Sequence, residues 1–293
     1  MKQKRNAFGR RMAALCLTAG LLISGAGLSA SAANNRAPEV VVEQVHFAYM
    51  IGYPEGHFGP NNTVSRAEVA TVFFRMMEDT AREKYWTKKN NYSDVTINQW
   101  HNNAISVMSN MGILSGFADG TFRPDEPMTR GQVASVFAKF ADETQVKPGS
   151  DALSFTDTQG HWAENAIAIT ATAGWMRGYA EGSFCPNDTI TRAEFVTACN
   201  RLLERVPENE DALLPSRITW SDVPAEAWYY LAVCEATNSH EYVETDTLVP
   251  GANFYYEKWT WLVPAYGWGP LPEKEWTAGN EGDGTSSEGV GKP

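Results

Sequence analysis

Apolar residues recur at helical spacing in three separate stretches of the chain. In each stretch the apolar positions lie three or four residues apart, which places them on one face of an amphipathic helix. The aligned sets are Val69, Val72, Phe73, Met76 and Met77; Val133, Val136, Phe137 and Phe140; and Phe195, Ala198, Cys199, Leu202 and Leu203. The pattern predicts three equivalent helices, and it predicts that Cys199 is a buried apolar residue because it occupies the position of Phe73 and Phe137.

A capping signal precedes each of these helices. A Ser or Thr stands three residues before a Glu or Gln, so its hydroxyl can accept a backbone N–H while the Glu or Gln side chain returns to the N–H of the cap. The pairs are Ser65 with Glu68, Thr129 with Gln132, and Thr191 with Glu194. Because the uncharged Gln132 keeps the pattern, we assign these six residues a structural capping role.

A glycine-bounded loop lies upstream of each capping pair. Its copies are Gly52–Gly56, Gly116–Gly120 and Gly178–Gly182, offset by 64 and then 62 residues, and Phe-x-Pro follows each copy. Glycine suits a tight turn because it adopts positive φ at little steric cost. Agreement at so many positions identifies an internal repeat. We predict tight turns here, with the following Phe in the core.

A second recurring element consists of an aromatic residue, a hydroxyl residue and an aspartate, followed by a tryptophan and a helical stretch. The aspartates are Asp94, Asp157 and Asp222, and the tryptophans are Trp100, Trp162 and Trp228. The aspartates are better explained as turn or cap residues than as catalytic acids. Two interpretations of the tryptophans stay open: they stack on sugar rings, or they are buried anchors at the start of a helix.

The two recurring elements are not paired at the ends of the repeat region. The first repeat has only the loop and the capped helix, and the last has only the Asp–Trp element. The predicted segments are a first half-repeat with the loop and capped helix at 34–85, a second repeat at 86–145, a third at 146–210, and a closing half-repeat with an aromatic extended segment at 211–270. If the terminal halves complete each other, residues near 45–80 pack against residues near 220–240. The fold class predicted is mainly α, with short extended links.

An arginine stands between the two members of each capping pair: Arg66, Arg130 and Arg192. Positive charge at the start of a helix opposes the helix dipole, so its recurrence suggests a use beyond the helix. The free N–H groups of the helix end, together with a guanidinium, would suit a carboxylate or a phosphate. The alternative is an ion pair with a neighbouring acid, with Asp94, Asp157 and Asp222 as the candidates.

No pattern of catalytic residues or metal ligands is present in the sequence. The histidines recur at no fixed position of the repeat and have no metal-ligand spacing: His46, His57, His101, His161 and His240. Nucleophile elbows, His-Glu-x-x-His and phosphate loops are also missing. We therefore predict a protein that is not an enzyme and that uses no cofactor and no metal.

The ends of the chain and its charge restrict where it acts. Residues 1–33 are typical of a signal peptide, with a basic start, the apolar stretch Met12–Leu28 and a small-residue cleavage pattern, which predicts secretion without a spanning segment. Removal of this leader changes the formal net charge from −11 to −16, which argues against nucleic acid or an anionic membrane as a partner. Cys185, Cys199 and Cys234 are predicted to be free thiols.

The C-terminal region has two parts. Residues 241–270 are rich in Tyr and Trp, and we interpret them as an extended segment that packs aromatic side chains onto the helices, with a separate sugar-binding surface as the alternative. Residues 271–293 are rich in Gly, Ser, Thr and acidic residues, which predicts a disordered tail.

The Asp–Trp element, the Gly-x-x-Asp/Glu-Gly-x-Phe-x-Pro loop and the Ser/Thr-Arg-Ala-Glu element together resemble the S-layer homology repeat, over roughly residues 45 to 240. The resemblance implies a pseudo-threefold helical bundle with ligand grooves between repeats, and non-covalent binding of a secondary cell-wall polysaccharide that often carries a pyruvate ketal. The ligand-binding residues expected from the motifs are Arg66, Arg130, Arg192, Asp94, Asp157, Asp222, Trp100, Trp162, Trp228, Gly56, Gly120 and Gly182. The middle element departs from the pattern as Thr129-Arg130-Gly131-Gln132, which implies a weaker groove there, and Cys185 replaces a more usual polar residue.

Three functions follow from this resemblance and from the composition. The favoured one is a secreted wall-binding protein of a Gram-positive cell surface or S-layer, whose partner is the secondary cell-wall polysaccharide or another glycan linked to peptidoglycan. A structural or adaptor protein would instead present its aromatic C-terminal segment to a surface-protein partner. A glycan-active enzyme with an unrecognised site is the third alternative.

Overall fold

The computed structural model describes residues 44–77, 79–141 and 155–263, so the predicted leader at 1–33 and the tail at 271–293 lie outside it. Helices make up most of its regular structure, as predicted. They are α1 Arg66–Met76, α2 Asp79–Tyr85, α3 Asn102–Asn110, α4 Arg130–Ala138, α5 Glu164–Thr172, α6 Arg192–Leu203 and α7 Tyr230–Thr237, with a short 3-10 helix at Glu210–Ala212. The strands β1 Gln44–His46, β2 His240–Leu248 and β3 Tyr255–Leu262 form one antiparallel sheet in that order.

Helices α1, α4 and α6 begin with a reciprocal capping box. Each cap side chain accepts the backbone N–H of the residue three positions on, and the side chain of that residue accepts the backbone N–H of the cap. Both bonds satisfy donors that a helix start otherwise leaves unpaired. The capped helices then pack in pairs with the helices that follow the Asp–Trp elements: α1 against α3, α4 against α5, and α6 against α7.

The apolar faces of the three capped helices meet in the core. Phe137 lies at the centre of this contact, with its ring centroid 5.8 Å from that of Phe73 and 6.3 Å from that of Phe195. Phe140 stacks on Phe73 at 5.1 Å, and Cys199 is fully buried as its position predicts. Burying one such aromatic side chain stabilises the fold by about 2 kcal/mol. The loop residues Phe58, Phe122 and Phe184 are also fully buried, which confirms their predicted core position.

Three backbone segments just before the capped helices hydrogen-bond to one another in a closed cycle. The N–H of Val64 donates to the carbonyl of Ile190 at 3.2 Å, the N–H of Ile190 donates to Met128 at 3.0 Å, and the N–H of Met128 donates to Val64 at 2.9 Å. Each segment thus donates one hydrogen bond and accepts one. The cycle fixes the starts of α1, α4 and α6 relative to one another.

The beginning and the end of the described chain are in contact, as the phase of the repeat predicts. The N–H groups of Tyr49 and Met50 both donate to the carbonyl of Ala236 at 3.0 Å, and the Asp222 carboxylate accepts from the N–H groups of Phe58 and Gly59. Strand β1 pairs with β2 in the same region. The first and last half-repeats therefore complete each other.

The aromatic C-terminal segment forms the β2–β3 hairpin, a regular structure that the sequence analysis did not predict beyond extended backbone. Trp259 is buried in the core with the helices, which agrees with the packing interpretation. Tyr242 is buried with its ring stacked on His46 of β1, whereas Trp261 is exposed. Tyr266 and Trp268 lie outside the described residues. None of the described helices combines the length and the apolar character that crossing a membrane requires.

Candidate functional site

The three recurring arginines define three equivalent sites. We call them site 1 around Arg66, site 2 around Arg130 and site 3 around Arg192. Each arginine is the first residue of a capped helix, and each side chain is buried. In each site the guanidinium hydrogen-bonds to the backbone beside the glycine-bounded loop of another repeat. Arg66 contacts the second loop, Arg130 the third and Arg192 the first. Every site is therefore assembled from two different repeats.

Site 3 joins the start of α6 to the first loop. Arg192 donates from Nε to the carbonyl of Phe58 at 2.9 Å, from Nη2 to the carbonyl of Ile51 at 2.8 Å, and from Nη1 to Glu68 Oε1 at 3.0 Å. Its guanidinium carbon also lies 5.0 Å from the ring centroid of Tyr53 and 4.7 Å from that of Phe58, within the range of cation–π attraction. The guanidinium thus clamps the loop and pairs with a carboxylate.

Site 2 repeats this arrangement between α4 and the third loop. Arg130 donates from Nε to the carbonyl of Phe184 at 2.9 Å and from Nη2 to that of Arg177 at 2.8 Å. Its Nη1 lies 3.5 Å from Glu194 Oε1, a longer contact than in site 3. Tyr179 lies under the guanidinium and also donates its hydroxyl to Glu194 at 3.0 Å, so the acid is shared between two donors.

Site 1 differs in its charge. Arg66 donates from Nε to the carbonyl of Phe122 and from Nη2 to that of Ser115, both at 2.7 Å, and it lies over the rings of Phe117 and Phe122. The position that holds a glutamate in the other two sites is occupied by Gln132. In the described part of the chain no carboxylate lies within ion-pair distance of Arg66. Burial lowers the pKa of Arg66 from its usual value.

The helix N-termini are not open to an anion, contrary to the prediction. In α1 the N–H of Arg66 donates to the carbonyl of Glu126 at 3.0 Å, and the N–H of Ala67 donates to that of Pro124 at 2.9 Å. The N–H of Glu68 donates to Ser65 Oγ. Because the other two helices start with the same bonds, an anion at any site would have to bind the remaining Nη hydrogens of the guanidinium.

The recurring aspartates hold the loops and do not pair with the arginines. The expected ion pair with a neighbouring acid is formed instead by Glu194 at site 2 and by Glu68 at site 3. Each carboxylate accepts two consecutive backbone N–H groups after the loop, at 2.7 to 2.8 Å. The pairs are Asp94 with Phe122 and Arg123, Asp157 with Phe184 and Cys185, and Asp222 with Phe58 and Gly59. Partial burial raises the pKa of Asp157 and Asp222, but these N–H donors outweigh it and leave both pKa values below the usual one.

The second glycine of each loop is required for its conformation. Gly56, Gly120 and Gly182 have φ of 81°, 82° and 85°, the left-handed region that residues with a Cβ rarely adopt. Their carbonyls accept the N–H of the hydroxyl residue that precedes each recurring aspartate. These glycines shape the loop backbone that the aspartate and the arginine hold from either side.

The recurring tryptophans are exposed, so the alternative of buried helix anchors is wrong. Trp100 is 44% exposed, and Trp162 and Trp228 are both 66% exposed. Each lies beside a neighbouring aromatic ring: the centroid of Trp100 is 5.2 Å from that of His101, with 5.4 Å to His161 and 5.3 Å to Tyr229 in the other two repeats. An exposed indole face held in this way is suited to stacking on a sugar ring.

Two features of the structure were missed in the sequence. One is the pair of rings around each guanidinium, because the loop aromatics gave no sign that they face an arginine of another repeat. The other is a buried group formed by His46, Glu235, His240 and Glu257, which could hold a metal ion. Cys185, Cys199 and Cys234 are free thiols, as predicted.

Comparison with known proteins agrees with this repeat. The family model of the S-layer homology domain matches residues 48–70, 91–134 and 154–196, which fall in the first half-repeat and in the two whole repeats. The cellulosome-anchoring protein of Acetivibrio thermocellus is 32% identical over 199 residues, 67% of this chain and 43% of that protein.

Two further relatives are surface proteins. Cell surface glycoprotein 1 of the same organism is 34% identical over 69% of this chain and 9% of its own length, and the surface-layer 125 kDa protein of Lysinibacillus sphaericus is 30% identical over 68% and 17%. The chain thus spans less than half the length of each of these curated relatives. Because the S-layer homology domain model matches three segments of its repeat region, the chain belongs to the S-layer homology family.

Proposed function

We propose that this protein is anchored non-covalently at a bacterial cell surface by binding an anionic secondary cell-wall polysaccharide in grooves between its repeats. The observation that carries the proposal is the recurrence, in three repeats, of an exposed tryptophan together with a guanidinium clamped at the junction of two repeats. The names of relatives that share about two thirds of this chain, a cellulosome-anchoring protein and surface proteins, support an anchoring role.

The ligand is proposed to contact two kinds of group. Sugar rings stack on Trp100, Trp162 and Trp228, whose faces are open to solvent. A carboxylate, such as that of a pyruvate ketal, accepts hydrogen bonds from the Nη groups of the arginines that the loop carbonyls leave unused. The aspartates and loop glycines act through the loop backbone, which they hold in place.

The proposed architecture is a pseudo-threefold bundle made of one repeat at 86–145, one at 146–210, and a third completed by the half-repeats at 34–85 and 211–270. Its support is the closed cycle of Val64, Met128 and Ile190 and the contact of Asp222 with the first loop. Export by the predicted leader would bring the protein to the wall. We propose an anchoring role without catalysis, with the wall glycan as the partner.

The test is sedimentation of the protein with purified Gram-positive wall sacculi, either intact or stripped of secondary polymer. The binding variant carries Trp100→Ala, Trp162→Ala and Trp228→Ala, because exposed side chains can be removed with little risk to the fold. We expect the wild type to bind only intact sacculi and the triple variant to bind at least about tenfold more weakly. Equal binding to stripped sacculi, or full binding by a folded triple variant, would contradict the proposal.

The alternative, an adaptor that presents its aromatic C-terminal segment, rests on Trp261, which is 64% exposed on β3. Trp261→Ala is therefore the matched control, and it shows whether the hairpin rather than the repeats binds the wall. If the sugar sites are in the repeats, this variant binds sacculi like the wild type. If it alone loses binding, the hairpin is the functional surface.

A further inference from the structure

A buried cluster of two histidines and two glutamates lies where the sheet meets the last helix. His46 belongs to β1, Glu235 to α7, His240 to β2 and Glu257 to β3. All four side chains are buried, and one ligating atom from each lies within 4.8 Å of all the others. The cluster is separate from sites 1 to 3, whose contacts involve none of these residues.

The nitrogen and oxygen atoms of the cluster lie close enough together for one ion to contact all four residues. His46 Nδ1 lies 3.1 Å from Glu235 Oε1 and 3.3 Å from Glu257 Oε2. His240 Nε2 lies 3.2 Å from Glu235 Oε2 and 3.6 Å from Glu257 Oε1. In a tetrahedral site with metal–ligand bonds of about 2.1 Å, neighbouring ligand atoms lie about 3.4 Å apart. The four nitrogen–oxygen separations bracket this value.

Hydrogen bonding accounts for only part of the cluster. His46 Nδ1 carries at most one hydrogen, yet two carboxylates face it, and its hydrogen bond goes to Glu235. Both oxygens of Glu257 and Nε2 of His240 are buried without a hydrogen-bond partner among the described residues, since their contacts lack hydrogen-bond geometry. Leaving buried carboxylate oxygens without a hydrogen bond is costly.

Hydrogen bonds to residues outside the cluster orient His240 and Glu235. His240 Nδ1 lies 3.0 Å from the carbonyl of Asn238, and because a carbonyl only accepts, this nitrogen carries a hydrogen and Nε2 is the atom that faces the carboxylates and could ligate an ion. Trp259 donates from Nε1 to Glu235 Oε2 at 3.0 Å, and its ring stacks on His240 at 4.0 Å. Such second contacts are typical of metal-binding histidines and carboxylates.

We propose that His46, Glu235, His240 and Glu257 form a structural site for one divalent transition-metal ion, with Zn²⁺ as the best fit. Two carboxylates balance its charge, and imidazole nitrogen with carboxylate oxygen is a ligand set that Zn²⁺ accepts. Four protein ligands fill a tetrahedral sphere, which is the arrangement of a structural rather than a catalytic site. The ion would fasten β1, from the first half-repeat, to the last helix and the hairpin, and so stabilise the closure of the chain.

The test is metal titration of the protein after removal of metal by a chelator. We expect about one equivalent of Zn²⁺ per chain, a visible absorption typical of tetrahedral Co²⁺ when Co²⁺ is added instead, and a rise in Tm on metal binding. Glu257→Gln keeps the shape but removes a charged ligand, so we expect loss of the Co²⁺ absorption and of stoichiometric binding. Glu244→Gln, an exposed change on the same hairpin, is the matched control and should bind like the wild type.

Two results would overturn the site. One is a folded, metal-free wild type that takes up no Zn²⁺ or Co²⁺ and shows no change in Tm; the cluster would then be a buried ion-pair network. The other is an unchanged Co²⁺ absorption in Glu257→Gln. If circular dichroism shows that Glu257→Gln is unfolded, His240→Gln takes its place, and the wild-type titration decides the proposal independently.

Discussion

Site 1 and site 3 are built from equivalent elements, the start of a capped helix and a glycine-bounded loop. They differ in whether a carboxylate lies beside the arginine. Arg192 pairs with Glu68 at 3.0 Å, whereas the corresponding position beside Arg66 is Gln132. Both guanidiniums keep two carbonyl contacts and two flanking rings. The carbonyls and rings are therefore sufficient to hold the arginine. The carboxylate is not required for the geometry, and its effect is on charge.

This difference bears on how each site would bind an anion. At site 3 a ligand carboxylate competes with Glu68 for the same guanidinium, but at site 1 no described carboxylate competes for Arg66. The departure of the Thr129–Gln132 element from the repeat pattern predicts a weaker groove. Because the amide of Gln132 carries no charge, the guanidinium of site 1 would be more available to an anionic ligand than that of site 3.

The largest expected difference between the two sites is in stability. Arg192→Ala should lower the free energy of unfolding by about 3 kcal/mol, because it removes the charged partner of Glu68 Oε1 as well as the donors to two loop carbonyls. Arg66→Ala leaves only the carbonyls, so we expect a loss of about 2 kcal/mol. Urea unfolding followed by tryptophan fluorescence measures both. Equal losses, or a larger loss for Arg66→Ala, would show that Glu68 contributes nothing to site 3.

The features predicted from sequence are the local ones. Ser65 and Glu68 are three residues apart, so their capping box depends only on helix geometry, and the core position of Phe73 follows from spacing in one helix. The contact between the terminal half-repeats was also predictable, because the phase of the repeats requires it.

The features that were missed depend on residues far apart in the chain. His46 and Glu235 are 189 residues apart, and Arg192 bonds to a carbonyl 134 residues away. Backbone carbonyls carry no sequence signal, so the contacts that hold the guanidinium and close the helix N-termini leave no motif. The exposure of the tryptophans was undecided for a similar reason, since it depends on how the repeats pack together.

A second prediction compares the loops through their aspartates. Because the pKa of Asp222 is lower in the folded state than in the unfolded chain, its stabilising effect is present above about pH 4 and is lost as pH falls through the folded-state pKa. Asp222→Asn should cost about 2 kcal/mol near neutral pH, because an amide cannot accept both N–H groups of Phe58 and Gly59.

The measurement is urea unfolding of the wild type and of Asp222→Asn at about pH 7 and about pH 3. The difference between the two proteins should shrink toward the lower pH as the wild-type carboxylate is protonated. A difference that stays constant with pH would mean that the charge of Asp222 does not contribute to holding the loop.

A third prediction converts site 1 to the charge arrangement of site 3. Gln132→Glu introduces a carboxylate beside Arg66 and should stabilise the fold by up to about 1 kcal/mol, since the pair is partly exposed. It should also weaken binding of an anionic wall polymer at site 1. Glu68→Gln makes the reverse change at site 3. Sedimentation with sacculi at low and high salt measures the affinity of both variants for the wall. An unchanged affinity in both variants would show that the charge around the arginine does not control binding.

The smallest expected effect concerns a loop position at which the three sites differ. The residue after the buried loop phenylalanine has positive φ in all three: 69° at Gly59, 58° at Arg123 and 55° at Cys185. Only glycine adopts this region without strain, so Cys185→Gly should relieve roughly 1 kcal/mol of backbone strain. Greater freedom of the unfolded chain offsets part of this gain and leaves about 0.5 kcal/mol.

Gly59→Ala is the converse change and should destabilise site 3 by more than Cys185→Gly stabilises site 2. A Cβ on Gly59 would lie 2.6 Å from the Asn62 side chain and 2.8 Å from the Tyr53 ring, so crowding adds to the strain of positive φ. Both variants keep the backbone N–H that the aspartate binds, and thermal unfolding compares them directly. If Cys185→Gly lowers Tm, the side chain of Cys185 stabilises its loop by more than the strain costs, and the departure at this position is part of how site 2 is held.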